Sequence, residues 1–158
     1  MLFSMGHDDM GKIQVGPMST IGGIKKVDQA AANLTASKLS IDICNLVKLW
    51  ITKYSKLDVI VYPEFEGFWR HIIIKENMDK DYIISLRFND YDTHQELWDL
   101  EKPKFIRFLI SHSNQYSYNL KGLYYQKCIG KAEPSRQDIF HRVYFQDNLY
   151  ETILGYTF

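Results

Sequence analysis

The spacing of apolar residues changes period along the chain. Between residues 27 and 54, Val27, Ala31, Leu34, Leu39, Ile43, Leu46, Val47, Trp50 and Tyr54 recur at steps of three and four. That spacing aligns them along one face of a helix. The helix starts near Asp28 or near Ser37, both of which supply the acceptor that an N-cap needs. Lys48, Lys53 and Lys56 gather toward its C-terminus, where cations suit the macrodipole. The period then shortens to two. Residues 57–62, 68–75 and 81–89 read as strands, and their short connectors predict antiparallel hairpins. In the third segment Tyr82, Ile84, Leu86 and Phe88 share one face. Ile83, Ser85, Arg87 and Asn89 take the other, toward solvent or a partner.

Asp92 follows as an N-cap, with Gln95 in capping-box position ahead of Leu97, Trp98 and Leu100. Pro103 interrupts this pattern. Phe105, Phe108, Leu109 and His112 resume at helical spacing, although the run 105–110 also fits a buried strand. The helix is the reading taken here. Residues 123–129 and 139–145 are β-like, joined by a loop punctuated by Gly130 and Pro134. Residues 150–158 form a final strand or tail.

Residues 1–26 stand apart. They hold five of the nine glycines and four of the five methionines, with one apolar patch at Ile13 and Val15. This predicts an irregular arm with at most one short strand, either flexible or ordered on a partner; Met18 offers a second start for the chain. The expected architecture is α+β. An N-terminal arm (1–26) precedes a single domain (27–158) with a long amphipathic helix on an antiparallel sheet. A second helix follows the third strand, and a C-terminal hairpin closes the domain.

Composition narrows the function classes. At 158 residues the chain is long enough for one core without disulfide or metal staples. Lys+Arg and Asp+Glu are 19 each, which excludes a strongly basic nucleic-acid module as a description of the whole chain. Residues 1–56 carry 7 basic and 4 acidic side chains, and the remainder 12 and 15, so the basic excess lies away from most aromatics. No apolar run reaches 18 residues, and the first ten residues lack a secretory pattern. Cys44 and Cys128 fit a reducing compartment. The expected location is cytoplasmic or inside an intracellularly assembled particle.

Chemical motifs are sparse. No His pair has zinc-site spacing, and no nucleotide-binding glycine motif is present. No metal and no cofactor are therefore expected. Arg107 and His112 have an Arg-x4-His spacing that resembles the short catalytic motif of HEPN-type ribonucleases. The resemblance implies that the two side chains bracket a phosphodiester, with His94 as a further candidate; Phe108 stands where that family has a polar residue. Residues 13–16, Ile-Gln-Val-Gly, resemble the tetrad of RHIM-type amyloid motifs, with Pro17 as the departure. The order of elements is similar to that of tail-terminator and head–tail joining proteins of tailed phages, which implies rings with exchanged arms.

Aromatics make up 15% of the chain, more than one small core encloses. Phe65, Phe68, Trp69, Tyr116, Tyr118, Tyr150, Tyr156 and Phe158, with Ile13 and Val15 of the arm, are the expected contact residues for other protein chains. The leading expectation is a non-enzymatic assembly subunit of a larger, virus- or phage-like complex, with copies of itself among its partners. Membranes are excluded as partners, and nucleic acid is not expected as the main ligand. Two other readings are a small hydrolase or nuclease built on Arg107 and His112, and an inhibitor of one basic enzyme. The inhibitor would use an acidic face around Asp58, Glu64, Glu66, Asp90 and Asp92.

Overall fold

The computed structural model describes residues 1–89, 92–132, 134, 139–150, 152–153 and 156–157. It is an α+β fold. Among the described residues, ten strands and two helices run in the order β1 (Leu2–His7), β2 (Ile13–Gly16), β3 (Met18–Ile21), β4 (Ile24–Val27), α1 (Lys38–Lys53), β5 (Trp69–Glu76), β6 (Asp81–Asn89), α2 (Asp92–Asn114), β7 (Asn119–Cys128), β8 (His141–Phe145), β9 (Thr152–Ile153) and β10 (Tyr156–Thr157). Six strands form one sheet in the order β2-β1-β5-β6-β7-β8, while β3/β4 and β9/β10 pair separately.

Helix α1 starts at the later of its two candidate positions. Ser37 is the N-cap, and its Oγ accepts the Ser40 amide at 3.0 Å. A separate 3-10 turn over Ala30–Ala32 takes up the first part of the expected helix. Leu39, Ile43, Leu46, Val47 and Trp50 are buried along one face, at the spacing seen in the sequence. Helix α2 runs unbroken through Pro103, which is exposed on its outer side. It presents Trp98, Phe105 and Leu109 to the core. Both helices cover one face of the sheet, against Phe3, Met5, Ile72, Ile74, Tyr82, Ile84, Leu86, Phe88, Leu123 and Tyr125.

The N-terminal stretch is not an irregular arm. Strand β1 lies inside the sheet, antiparallel to β2 on one side and β5 on the other. Phe3, Met5 and Val15 therefore sit in the shared core. The apolar pair Phe3/Met5 is too short to show a period, and backbone pairing with β5 supplies the missing order. The sheet is also not purely antiparallel. Strands β5 and β6 form the expected hairpin, but β6 and β7 are parallel, because α2 carries the chain back to the same end of the sheet. Strand β8 closes antiparallel on β7. Residues 57–62 form no strand; Val59 and Val61 make single bridges to Trp69 and Glu66.

Gly67 is required where this segment meets β5. Its φ is +109°, and a Cβ there would lie 2.2 Å from the Val59 carbonyl oxygen. Gly67→Ala is expected to cost about 2 kcal/mol of stability through strain and displaced backbone. A urea midpoint equal to that of the wild type would contradict this.

Candidate functional site

The face of the sheet turned away from the helices carries a polar row. Ser4 pairs in register with His71, His71 with Arg87, and Arg87 with Gln126. These side chains cross four strands on one side, and Ser4, His71 and Gln126 are buried. Alternation alone places Arg87 there, opposite Leu86 and Phe88. His71 joins the row because β5 bulges between Trp69 and His71. A bulge of this kind re-aims the side chains that follow it.

A cleft of about 460 Å³ opens above this row, lined among others by Lys25, Tyr62, Phe65, Arg70 and Lys131. Its walls come from three remote segments: the β3/β4 hairpin, the turn after residue 60 and the turn after β7. The turn holds Phe65 at φ +63°, in the left-handed region that a bulky residue seldom occupies. Tyr62 and Phe65 pack edge-to-face with centroids 5.1 Å apart. Three cations converge on the Phe65 ring: Arg70 at 5.1 Å, Lys131 at 5.5 Å and Lys25 at 5.8 Å. Among the described residues the lining includes no carboxylate. Half-exposed aromatic rings set among converging cations offer a stacking surface beside a positive potential, an arrangement that attracts an anion carrying a flat ring.

The residues singled out from sequence are scattered. Arg107 is exposed, and His112 is five positions further along α2, about 140° around the helix. His112 Nδ1 donates to the Phe108 carbonyl at 2.9 Å, and its ring lies on Phe108. His94 packs edge-on against Phe68, on the helix side of the sheet. The three do not converge, so the structure supplies no ribonuclease-like centre from them. Val15, Phe68, Trp69 and Tyr118 are core residues rather than surface contacts. Tyr118 closes inward, and its hydroxyl donates to Asp42 at 2.7 Å. Ile13 packs on the core, Tyr116 stacks on Tyr118, and Tyr150 lies beside Asn77, whose amide donates to its carbonyl. Tyr156 is in β10, while Phe158 and the Asp90 of the acidic face lie outside the described residues. Among the described residues, Phe65 alone of the expected contact residues lines the cleft.

Ile13–Gly16 is an ordinary strand of the sheet. Cys44 is buried, and burial pushes its thiol up, which suits a core filler and not a nucleophile. Among the described residues no group of His, Cys, Asp or Glu could hold a metal. No helix among them is long and apolar enough to cross a membrane. Sequence reasoning missed Lys25, Tyr62, Arg70, His71 and Lys131. The only signal for this face was the polar side of the β6 alternation.

The fold is a mixed sheet with both helices on one side and a basic, aromatic cleft on the other. Against known proteins, no family model matches the chain, and no curated protein matches it. Among solved structures it is similar to the Pyrococcus abyssi tRNA (uracil-54, C5)-methyltransferase, solved in complex with S-adenosyl-L-homocysteine. The TM-score is 0.57 at 14% identity over 99% of this chain. The chain spans 34% of that enzyme's length. This likeness is one of fold, and it is to part of an enzyme. It overturns the expectation of a non-enzymatic assembly subunit of a viral or phage-like particle. The parallel β6/β7 pair and the integrated N-terminus also break the element order on which the phage resemblance rested.

Proposed function

We propose that this chain is an RNA-binding unit of the kind built into an RNA-modifying enzyme, with single-stranded RNA as its ligand. The observation that carries the reading is the convergence of Lys25, Arg70 and Lys131 on the Phe65 ring, in a cleft whose described lining is basic and aromatic. The fold likeness to a third of a tRNA methyltransferase supports RNA as the polymer. An unstacked base lies on Phe65 with Tyr62 at its edge, and Lys25, Arg87 and Lys131 receive the flanking phosphates. This division of labour is the usual one for single strands: aromatic platforms hold bases and a basic groove tracks the backbone. The neutral total charge does not oppose it, because binding depends on the local potential in the cleft. Methyl transfer itself is not part of the proposal.

Fluorescence anisotropy with a labelled single-stranded RNA tests this. With three phosphate contacts, log Kobs is expected to fall with log salt at a slope of about −2. Replacing Lys25 and Lys131 together by glutamine should flatten the slope to about −0.7 while the fold is kept. Binding that is absent, or that ignores both salt and these two lysines, would remove the reading.

A further inference from the structure

Arg70 is one of the largest fully buried side chains, 1% exposed, yet it carries a full charge. Burying a cation is costly, and an apolar side chain would fill the same volume more cheaply. What the guanidinium touches indicates its use. Nη1 donates to the Gly130 carbonyl at 2.9 Å and reaches Asn89 Oδ1 at 3.4 Å, while Nη2 donates to the Lys131 carbonyl at 3.0 Å. Its Cζ stands 5.1 Å from the Phe65 ring centre. Asn89, also buried, completes the link: its Nδ2 donates to the carbonyls of Phe65 and Gly67 at 2.7 and 2.9 Å. One arginine and one asparagine thus fasten two turns to the ends of β5 and β6. One turn carries the aromatic ring and the other carries Lys131.

We propose that Arg70 and Asn89 are the positioning pair of the cleft: they hold the Phe65 turn and the Lys131 turn in the relative placement that grips RNA, without touching the ligand themselves. This rests on the RNA-binding reading. The planar fork of arginine serves both carbonyls at once, and a lysine at the same place cannot. Each flexible turn would otherwise have to be ordered at the moment of binding, which weakens affinity.

The test uses the full chain and a fluorescein-labelled single-stranded RNA, with Arg70→Lys, Asn89→Ala and the double variant. Each single variant is expected to bind about tenfold more weakly, with an unchanged salt slope. The double variant should be no weaker than the worse single one, because both changes open the same clamp. Independent structural damage would instead multiply. Wild-type affinity in both single variants, multiplied losses in the double, or a slope reduced by about 0.7 would overturn the proposal; the last would make Arg70 a direct phosphate contact. Should Arg70→Lys fail to fold, Asn89→Ala decides by the same criteria. Amide exchange over residues 129–132 gives a readout without RNA. Faster exchange there in Asn89→Ala or Arg70→Lys, with β6 unchanged, is expected, and wild-type exchange overturns the clamp. A wild-type chain that binds no RNA defeats the functional reading alone, and amide exchange still tests the clamp.

Discussion

Replacing Trp69 by alanine is expected to remove about 3–5 kcal/mol of folding stability, the range for an indole deleted from a packed core. Trp69 is fully buried at the point where β5 passes between the helices and the polar row. Its ring meets Phe88, Phe105, Phe68 and Trp98 at centroid distances of 5.2 to 5.7 Å. Its indole N–H donates to Ser55 Oγ at 3.2 Å. Ser55 in turn donates to Glu101 at 2.7 Å, and Glu101 accepts the Lys56 amide at 2.6 Å. The substitution therefore empties the aromatic cluster and also loosens the polar link between the end of α1 and α2. Equilibrium urea unfolding measures the loss. A change under about 1 kcal/mol would mean that the cluster collapses around the gap and that Trp69 is not a keystone of this core.

Phe65→Ala is expected to weaken binding of single-stranded RNA about 30-fold, from the 1–3 kcal/mol that stacking on one aromatic platform contributes. Phe65 is half-buried in a turn, so stability should change by less than about 1 kcal/mol. Phe65→Tyr keeps a flat ring and should retain most of the affinity. The salt slope should stay at its wild-type value in both variants, because no cation is removed. Anisotropy titrations at two or more salt concentrations read these quantities together. Equal binding by Phe65→Ala and wild type would leave the cleft without a base platform.

Some of this protein is legible from local pattern. The buried face of α1, from Leu39 to Ile51, follows from spacing, because a helix turns every 3.6 residues whatever it packs against. Strand β6 is legible residue by residue, since Tyr82, Ile84, Leu86 and Phe88 alternate with Ile83, Ser85, Arg87 and Asn89, three of them polar. The same alternation put Arg87 and Ser85 on the face that carries the polar row. Aromatic excess was legible too, but its destination was not. Trp69, Phe68, Phe88, Trp98, Phe105 and Tyr125 form one internal cluster, so part of the apparent surplus is core. Counting rings cannot separate a ring that faces a helix from one that faces solvent.

The candidate site was not legible because its parts come from across the chain. The basic excess of residues 1–56 looked remote from the aromatics, yet the β3/β4 hairpin brings Lys25 to 5.7 Å from Tyr62 and 5.8 Å from Phe65. Lys131 arrives from the far end of β7, roughly 65 residues on in the chain, and is placed by Arg70. The bulge that turns Arg70 and His71 toward this face leaves no mark in a pattern of alternating residues.

Sequence by itself determined the elements whose order is local: the buried face of α1, the β5/β6 hairpin and the alternation of β6. Their hydrogen bonds and side-chain periods close within a few residues, so spacing specifies them. Only the tertiary structure decided that β1 runs inside the sheet, that β7 lies parallel to β6, and that Lys25, Tyr62, Arg70 and Lys131 from four segments meet around one phenylalanine. Those choices depend on which strand edges and apolar faces satisfy one another at long range, and short-range periodicity does not encode that information.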